Sequence, residues 1–446
     1  MIFLFIAIIF LLIVIVLLRG QKSSPEVKAK LNAADELFRH GRLTEAEAAY
    51  KEIREMTPDN VILLGRLGIL ALWNNKTEEA EKMLKSALHN IPWYQSFWPF
   101  TAELDFKLAM TYYRKNDFKK AAEQFKKAAG PIALGSFKQL KALESQAKLF
   151  EDDEAYIIEG PEESRIDFIR TDPLPVIQVS VNDNEPLYFI LDTGGAELIL
   201  NTQLAERIGA TISGTIESEY VGGAKAKTGL GKINSVSIGD FKIRNIPINT
   251  MKTDEFSSIF DGLKIDGILG TRILSQFIST FDYSNGSLIL ARNRTENSKS
   301  LDTLVLEGKA KVFPINLIDM HVIITQGTVN NLGPMNFFVD TGMAGGGFLA
   351  TEATIKKTGI RADWSKAVES MGGGGKVEGV DITVDCLTLG TGENTISEKN
   401  VPGMVMRKNP YIGDTVGFRI DGIVSHQFFR RYSVTFDFTR MILIIQ

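Results

Sequence analysis

The sequence predicts a multidomain protein with three parts, namely an N-terminal transmembrane helix, an all-α repeat region and an all-β domain of two related lobes. Three observations predict this fold class: an apolar opening segment, a 34-residue period in the region after it, and two blocks that recur in the C-terminal part. The predicted parts are an anchor at 1–19, helical repeats at 25–150, an acidic linker at 151–170, and lobes at 171–300 and 301–446.

The composition is that of a folded protein. The chain has 446 residues, of which 44% are hydrophobic and 23% charged, and a formal net charge of −4. It is long enough to bury more than one core, and its composition excludes collagen-like, low-complexity and disulfide-framework proteins. The small net charge gives no electrostatic footprint for nucleic acid. Cys386 is the single cysteine, so no intramolecular disulfide forms and the redox compartment stays undetermined.

The opening segment 1–18, MIFLFIAIIFLLIVIVLL, carries no charged side chain and would extend about 27 Å as a helix, just enough to cross a bilayer. The basic residues Arg19, Lys22, Lys28 and Lys30 all follow it. Because positive flanks tend to remain on the cytoplasmic side, we expect a single-pass membrane protein whose body lies in the cytoplasm. The alternative is a signal anchor that exports the body to the other side of the membrane.

The helical period becomes visible when GRLTEAEAAYKEIREMTPDN is aligned with NKTEEAEKMLKSALHNIPWY, 34 residues later. The alignment superposes three pairs of residues: Ala46 with Ala80, Tyr50 with Leu84, and Pro58 with Pro92. A third copy, NDFKKAAEQFKKAA, carries Ala121, Phe125 and Ala128 at the same internal spacing after a delay of seven residues. Small residues suit close helix packing, and the prolines fit the turn that ends each helical pair.

This pattern resembles the tetratricopeptide repeat, with Gly68 at a packing position of the second copy. Apolar residues at helical spacing within 131–150 predict a closing helix. The resemblance leaves two roles open: a spacer that holds the next domain away from the membrane, or a concave surface that recruits a protein partner. From Glu151 to Arg170 the chain has eight acidic and two basic residues, which indicates an exposed linker.

Beyond residue 171, short β-branched and aromatic runs broken by Gly, Asn and Pro predict an all-β domain. Residues 181–194 read VNDNEPLYFILDTG and residues 329–342 read VNNLGPMNFFVDTG, which agree at seven of fourteen positions without a gap. A second pair of blocks begins at Ile265 and Ile420 and shares Ile-Asp-Gly-Ile, a Thr-Phe-Asp strand and a last hydrophobic strand. The aspartates of this shared element, Asp266 and Asp421, precede Gly and an apolar pair and are therefore interpreted as turn residues.

The residue types of the repeated Asp-Thr-Gly suit acid–base chemistry. An aspartate at the end of an apolar strand is held in a fixed place, and the glycine permits the tight turn that exposes its carboxylate. Two such loops brought together place two carboxylates close enough to share one proton. The ionised carboxylate then takes a proton from a bound water while the protonated one polarises a peptide carbonyl.

The C-terminal part resembles the aspartic peptidases of the pepsin and retropepsin group, in which each lobe donates one Asp-Thr-Gly. The resemblance implies that Asp192 and Asp340 form the catalytic dyad and that neither a cofactor nor a metal takes part. It assigns supporting roles to four neighbours: Thr193, Gly194, Thr341 and Gly342. It further implies a flap over the substrate in each lobe, with candidate residues Tyr220, Gly222 and Gly223 in the first and Met371 and Gly372 in the second.

Three positions depart from the family's pattern. Gly195 and Met343 stand where members usually have Ser or Ala after Asp-Thr-Gly, and Ser425 stands where the second lobe's supporting Ile-Leu-Gly element would end in glycine. The four histidines, His40, His89, His321 and His426, are scattered and give no metal-ligand spacing.

The predicted function is that of a membrane-anchored aspartic endopeptidase that binds an extended peptide between its lobes and hydrolyses it with an activated water. The alternative is a catalytically weak or inactive peptidase-like protein that binds peptides and uses its helical repeats to recruit a partner. Both Asp-Thr-Gly loops favour the enzyme, whereas Gly195, Met343 and Ser425 favour the alternative.

Overall fold

A computed structural model describes residues 24–92, 99–130, 137–219, 225–372, 375–406 and 416–446. The predicted anchor, residues 1–18, lies outside these ranges. Within them no helix is both long and apolar enough to cross a membrane. The longest helix described there has 16 residues, whereas a crossing requires about 20 apolar ones. For the part of the chain that the structure describes, this finding contradicts the prediction of a single-pass membrane protein with a cytoplasmic body.

The part of the chain before residue 150 is helical, as the repeat pattern predicts. The described helices of this region are α1 (Pro25–Arg39), α2 (Leu43–Met56), α3 (Val61–Trp73), α4 (Thr77–Asn90), α5 (Pro99–Arg114), α6 (Phe118–Ala128) and α7 (Phe137–Lys148). Positions that the sequence repeat equates are buried together in the helical core: Ala46, Ala80 and Ala121 are each 0% exposed. The recurring small residues therefore mark the contact between paired helices.

Two local features fix the boundaries and spacing of these helices. The Asn60 side chain accepts a hydrogen bond from the Leu63 N–H at 3.1 Å and so begins α3, directly after the turn that contains Pro58. Gly68 permits close approach of α3 to α4, because a Cβ at this position would lie 2.7 Å from Cγ of Leu84. Gly68 thus occupies the packing position that the repeat predicts.

The remainder of the chain is mainly β. Its first half contains, in order, β1 (Ile157–Glu159), β2 (Glu163–Asp167), β3 (Val176–Val181), β4 (Leu187–Leu191), β5 (Leu198–Asn201), α8 (Thr202–Arg207), β6 (Thr211–Glu219), β7 (Lys225–Ile238), β8 (Phe241–Met251), a 3-10 helix (Asp254–Phe260), β9 (Gly267–Leu269), α9 (Thr271–Leu274), β10 (Phe277–Asp282) and β11 (Ser287–Arg292).

The second half repeats much of this order. It contains α10 (Thr295–Leu306), β12 (Lys311–Pro314), β13 (Asn316–Ile318), β14 (Val322–Val329), β15 (Leu332–Asp340), β16 (Phe348–Ala350), α11 (Glu352–Thr358), a 3-10 helix (Trp364–Lys366), β17 (Val368–Gly372), β18 (Gly375–Thr391), β19 (Asn394–Met406), β20 (Gly422–Ser425), β21 (Ser433–Asp437) and β22 (Ile442–Ile445). The predicted boundary between the lobes, at residue 300, falls within α10.

Each lobe has its own eight-stranded sheet, in the orders β1-β8-β5-β9-β4-β3-β7-β6 and β13-β14-β15-β20-β16-β19-β18-β17. In both sheets the strand that leads to Asp-Thr-Gly runs parallel to the strand of the second repeated block, β4 beside β9 and β15 beside β20. The next strand, β5 or β16, lies antiparallel on the other side of that block. The two sequence repeats therefore correspond to the same topology in both lobes.

A six-stranded sheet, β12-β22-β21-β10-β11-β2, joins the lobes. Its central pair is β10 from the first lobe and β21 from the second, each formed by a Thr-Phe-Asp sequence. The hydroxyls of Thr280 and Thr435 hydrogen bond across this pair at 2.7 Å. The two lobes are thus held together by backbone and side-chain contacts of one continuous sheet.

The acidic segment 151–170 differs from its prediction as an exposed linker. It supplies β1, which pairs with β8, and β2, which pairs with β11. Ser164 and Ile166 of β2 are buried, while the residues between and beside them are exposed. The charged residues of β2 therefore form the exposed face of an edge strand, because side chains alternate between the two faces of a sheet.

The helical region packs directly on both lobes. From α7, the Gln146 amide donates hydrogen bonds to the carbonyls of Gly231 at 3.1 Å and Ile248 at 2.9 Å in the first lobe. From α5, Lys107 forms a 2.6 Å ion pair with Asp319 of the second lobe. The repeats are therefore a structural partner of the β domain and not a separate stalk.

Candidate active site

The two Asp-Thr-Gly loops meet between the lobes. Asp192 directly follows β4, and its backbone N–H donates to the Leu269 carbonyl of the neighbouring β9 at 3.2 Å. Asp340 ends β15, where it pairs with Ser425 of β20. Since each aspartate leaves a buried central strand, its backbone is fixed by the sheet while its side chain emerges at the lobe interface.

Thr193 and Thr341 interlock the loops. The hydroxyl of Thr341 accepts from the backbone N–H of Thr193 at 2.9 Å, and the hydroxyl of Thr193 accepts from the N–H of Thr341 at 3.0 Å. Each hydroxyl also donates to a strand of the opposite lobe, Thr193 to the Val339 carbonyl at 2.9 Å and Thr341 to the Leu191 carbonyl at 3.1 Å. These four hydrogen bonds set the distance between the two aspartates.

The glycines of the two loops lie against the opposite aspartates. The N–H of Gly194 donates to Oδ1 of Asp192 at 2.6 Å, and the N–H of Gly342 donates to Oδ1 of Asp340 at 2.9 Å. A Cβ on Gly194 would lie 2.6 Å from Oδ1 of Asp340, and one on Gly342 would lie 2.0 Å from Cγ of Asp192. Glycine is therefore required in both loops because a side chain would occupy the space of a carboxylate.

The electrostatics of the pair favour a shared proton. The side chains of Asp192 and Asp340 are close enough to interact through a shared proton. Burial raises the pKa of Asp192, while hydrogen bonds from Asp340 and the loop N–H groups oppose that rise. Burial and the neighbouring charge of Asp192 raise the pKa of Asp340 well above its ordinary value. The arrangement favours one ionised and one protonated carboxyl group.

Asp266 and Asp421 support the strands that lead to the dyad. The side chain of Asp266 accepts from the Tyr188 N–H of β4 at 3.2 Å, and that of Asp421 accepts from the Asn336 N–H of β15 at 3.0 Å. Each therefore bonds to the equivalent strand of its own lobe. These contacts agree with the structural interpretation of the repeated Asp-Gly.

A family model described as aspartyl protease matches residues 177–273 and 325–425, the two segments that carry the dyad. The β-rich part is thus an aspartyl-protease-like domain. A second family model, described as tetratricopeptide repeat, matches residues 37–92. The recognition of an aspartic peptidase preceded by tetratricopeptide repeats is therefore confirmed. A search of curated proteins found no match.

Solved structures with similar coordinates include the aspartic proteinase of Irpex lacteus, with 16% identity, a TM-score of 0.42, and coverage of 64% of this chain and 96% of that one. Conglutin gamma, a basic 7S globulin from lupine seeds, has 10% identity, a TM-score of 0.36, and coverage of 64% and 95%. A structure titled edgp has 10% identity, a TM-score of 0.38, and coverage of 64% and 94%. At these TM-scores the likenesses carry no further argument.

Of the two flaps predicted for the aspartyl-protease-like domain, the structure describes residues of the second alone. Tyr220, Gly222 and Gly223 lie outside the described residues. Met371 and Gly372 end β17, where their backbones pair with Lys376 and Gly375 of β18. The second candidate is therefore a hairpin end, and its role over a substrate stays a prediction.

Ser425 is accommodated by a longer loop in the second lobe. Five residues separate Asp192 from β5, but seven separate Asp340 from β16. The Ser425 hydroxyl donates to the Gly346 carbonyl at 2.5 Å and accepts from the Gln427 N–H at 3.2 Å. The serine is thus fully hydrogen bonded within the loop that follows Asp340.

The equivalent glycine of the first lobe has no such room. A Cβ on Gly270 would lie 2.3 Å from the Glu197 carbonyl oxygen and 2.7 Å from that of Gly195. At Gly195 itself an added Cβ would lie 3.3 Å from Cγ2 of Ile268, a tight contact that requires only a small adjustment. Met343 packs partly buried against the core of the domain. These departures from the family's pattern leave the dyad geometry in place.

The structure also reveals a buried polar cluster that the sequence reasoning missed. Glu197, five residues after Asp192, accepts hydrogen bonds from the hydroxyls of Tyr113 in α5 and Tyr156 before β1, each at 3.0 Å. The guanidinium of Arg272 lies over both tyrosine rings, at 5.8 and 5.3 Å. The cluster therefore connects the helical repeats to the loop that carries Asp192.

The carboxyl group of Glu197 in this cluster has a raised pKa. Burial raises the pKa of Glu197 to about 7, although the nearby charge of Arg272 and the two tyrosine hydroxyls oppose the rise. A sequence signal for these residues exists: Glu197 and Arg272 are lone charges inside the apolar runs AELIL and TRIL. A charge within a buried element indicates a buried partner of opposite charge.

Proposed function

We propose that this protein is an aspartic endopeptidase that hydrolyses peptide bonds with a water activated by Asp192 and Asp340. The observation that carries the proposal is the pair of carboxyl groups held by the Thr193–Thr341 interlock, with pKa values raised by burial. Carboxyl groups with perturbed pKa values at a lobe interface are typical of acid–base sites. Membrane anchoring is not part of the proposal.

The proposed reaction starts with a water between the two carboxyl groups. Ionised Asp192 takes a proton from the water while the water oxygen attacks the carbonyl carbon of the peptide bond. Protonated Asp340 donates its proton to the carbonyl oxygen. The tetrahedral intermediate then collapses. The amide C–N bond breaks, the nitrogen receives the proton held by Asp192, and Asp340 regains a proton from the hydroxyl that becomes part of the new carboxyl group.

One chain is proposed to form the complete site, because both loops belong to the same chain. Retropepsin-like single lobes, by contrast, would need to pair between chains. Specific activity should therefore be independent of protein concentration. A fall in activity per molecule on dilution would indicate pairing between chains and would count against this part of the proposal.

The direct test is digestion of a peptide library by the full chain across pH 3 to 8, with products identified by mass spectrometry. Wild type should cleave, and a statine-type peptide should inhibit it. Asp192→Asn and Asp340→Asn should each lower turnover by at least about a hundredfold, because neither variant retains both a general base and a general acid. Asp385→Asn, the same change at an exposed position of β18, is the matched control and should leave turnover unchanged.

Peptide binding distinguishes the second candidate function, a peptidase-like protein that binds without cleaving. The observation that favours it is the altered loop after Asp340, which contains Met343 and is bonded by Ser425. If wild type binds peptides and cleaves none across this pH range, the binding function replaces the peptidase. If Asp340→Asn retains near-normal cleavage, the two-aspartate mechanism is wrong.

The helical repeats are proposed to support the catalytic domain by packing against both lobes. Their contacts with both lobes, through Gln146 and Lys107, favour this role over that of a spacer. A protein partner on the remaining helical surface stays a proposal, as the tetratricopeptide repeat suggests. Pull-down with the full chain and with a variant of exposed helical residues such as Ile62 would test it.

A further inference from the structure

A cavity of about 190 Å³ lies where the helical repeats meet both lobes of the β domain. The described residues that line it include Arg114 from the repeats, Arg272 and Asn293 from the first lobe, and Leu317 and Thr439 from the second. One ordered water requires about 10–15 Å³ on the same measure. The cavity therefore has room for a small polyatomic ion.

The lining has the chemistry of an anion site. It contains two arginines together with side-chain amides and hydroxyls, and no acidic residue is among the described residues that form it. The Thr439 hydroxyl and the amides of Gln276 and Asn293, each of which donates one N–H within the protein and has a second, supply neutral donors. A cation would find no carboxylate ligand on these walls, whereas an oxyanion would find charged and neutral donors.

Both guanidinium groups are buried, Arg114 at 8% and Arg272 at 7% exposure. Arg114 donates to three backbone carbonyls, including that of Leu317 at 2.7 Å. The Nη2 atom of Arg272 donates to the Tyr113 carbonyl at 2.9 Å and the Arg114 carbonyl at 3.2 Å. Its Nε atom is buried and has no hydrogen-bond partner among the residues that the structure describes.

The positive charge beside the cavity is incompletely balanced. Asp319, whose charge acts on Arg114, forms a 2.6 Å ion pair with Lys107. Glu197, on which the charge of Arg272 acts, accepts hydrogen bonds from two tyrosine hydroxyls, and burial raises its pKa to about 7. Burial and the charge of Arg272 lower the pKa of Arg114 to about 9. Because both acids are shared with these other partners, the two buried guanidinium groups favour an added anion.

We propose that this cavity binds a small tetrahedral oxyanion of the phosphate class, held between Arg114 and Arg272. The two guanidinium groups come from different parts of the fold and can each take different oxygens of one anion. Bound there, the anion contacts the repeats and both lobes together. Because it binds the folded protein, it stabilises the assembly of the three parts by mass action.

Isothermal titration of the full chain with sodium phosphate at constant ionic strength tests the proposal, with sulfate, acetate and chloride as separate arms. We expect saturable binding of phosphate and sulfate, weaker binding of acetate and none of chloride. The thermal midpoint should rise with phosphate concentration in parallel. Phosphate monoesters form a last arm: equal affinity for them would identify a phosphate group on a larger molecule as the ligand.

Asn293→Asp is the main variant, because it adds a negative charge to the lining at an exposed position and leaves both arginines in place. It should weaken phosphate binding at least tenfold. Asn234→Asp, the same change at an exposed position outside the cavity, should leave the affinity unchanged. Arg272→Gln should abolish binding if the variant folds.

Two results would overturn the proposal. One is the absence of saturable phosphate binding to wild type, which would mean that water alone fills the cavity. The other is equal weakening by Asn293→Asp and Asn234→Asp, which would show an adventitious ion only, attracted by the general surface. Since the readout is binding, neither result depends on whether the protein cleaves peptides.

Discussion

Thr193 and Thr341 are hydrogen bonded crosswise, each hydroxyl accepting from the other's backbone N–H at 3.0 and 2.9 Å. Both side chains are buried, at 0% and 1% exposure. The contact joins residues 148 positions apart and is the point at which the two lobes fix the spacing of Asp192 and Asp340. The proposed catalytic pair therefore depends on the two threonine hydroxyls as much as on the two carboxyl groups.

Thr193→Val should lower stability and activity together. The change leaves the Thr341 N–H and the Val339 carbonyl without their partner in a buried site, which costs about 1–3 kcal/mol for each group. Urea denaturation and peptide hydrolysis measure the two effects. Thr193→Ser keeps the hydroxyl and is the matched control. A larger loss in Thr193→Ser than in Thr193→Val would show that the methyl group, and not the hydroxyl, matters.

Asp340→Asn should stabilise the protein at neutral pH while abolishing hydrolysis. The pKa of Asp340 in the folded state is raised above its ordinary value of 3.8. Asp340 therefore contributes fully to the stability of the fold below pH 3.8, and this contribution is lost as the pH rises through the folded-state pKa. Asparagine carries no proton to lose. Thermal midpoints of both proteins should therefore diverge as the pH rises from 4 to 8, with the variant higher. A constant difference would contradict the raised pKa.

Glu197→Gln should flatten the dependence of stability on pH. With an ordinary value of 4.5 and a folded pKa of about 7, Glu197 stabilises the wild type fully below about pH 4.5, and this contribution is lost as the pH rises through 7. Between pH 4.5 and 7 the contribution of Glu197 to the free energy of unfolding falls by up to about 1.4 kcal/mol per pH unit. Denaturation at several pH values measures the slope. Glu206→Gln, an exposed change in α8, should retain the wild-type slope.

Ser425→Gly should not increase peptide hydrolysis, although it restores the glycine found in the family's pattern. The change removes the hydrogen bond that the Ser425 hydroxyl donates to the Gly346 carbonyl and the one that it accepts from the Gln427 N–H, so we expect a loss of about 1–3 kcal/mol in the free energy of unfolding. Gly270→Ser is the reciprocal variant and should be more damaging, since its Cβ would lie 2.3 Å from the Glu197 carbonyl oxygen. Increased hydrolysis by Ser425→Gly would show that the serine restrains the loop.

Much of the fold was predictable because its signals are local or repeated. The 34-residue period identifies the helical core positions, since equivalent residues face the same neighbours in each helical pair. The paired Asp-Thr-Gly blocks identify Asp192 and Asp340, because each aspartate follows an apolar run that predicts a buried strand. The acidic segment 151–170 was harder to predict, since its strands form only by pairing with β8 and β11, far along the chain.

The sequence by itself determined the helical repeats, the two related lobes and the two Asp-Thr-Gly loops, because periodicity and repetition are carried by neighbouring residues. Tertiary structure alone decided how these parts meet. Tyr113 contacts Glu197 across 84 positions, and Arg114 and Arg272 come from different parts of the fold to line one cavity. Such contacts depend on the packing of whole elements, and no local pattern specifies which buried charge will face which partner.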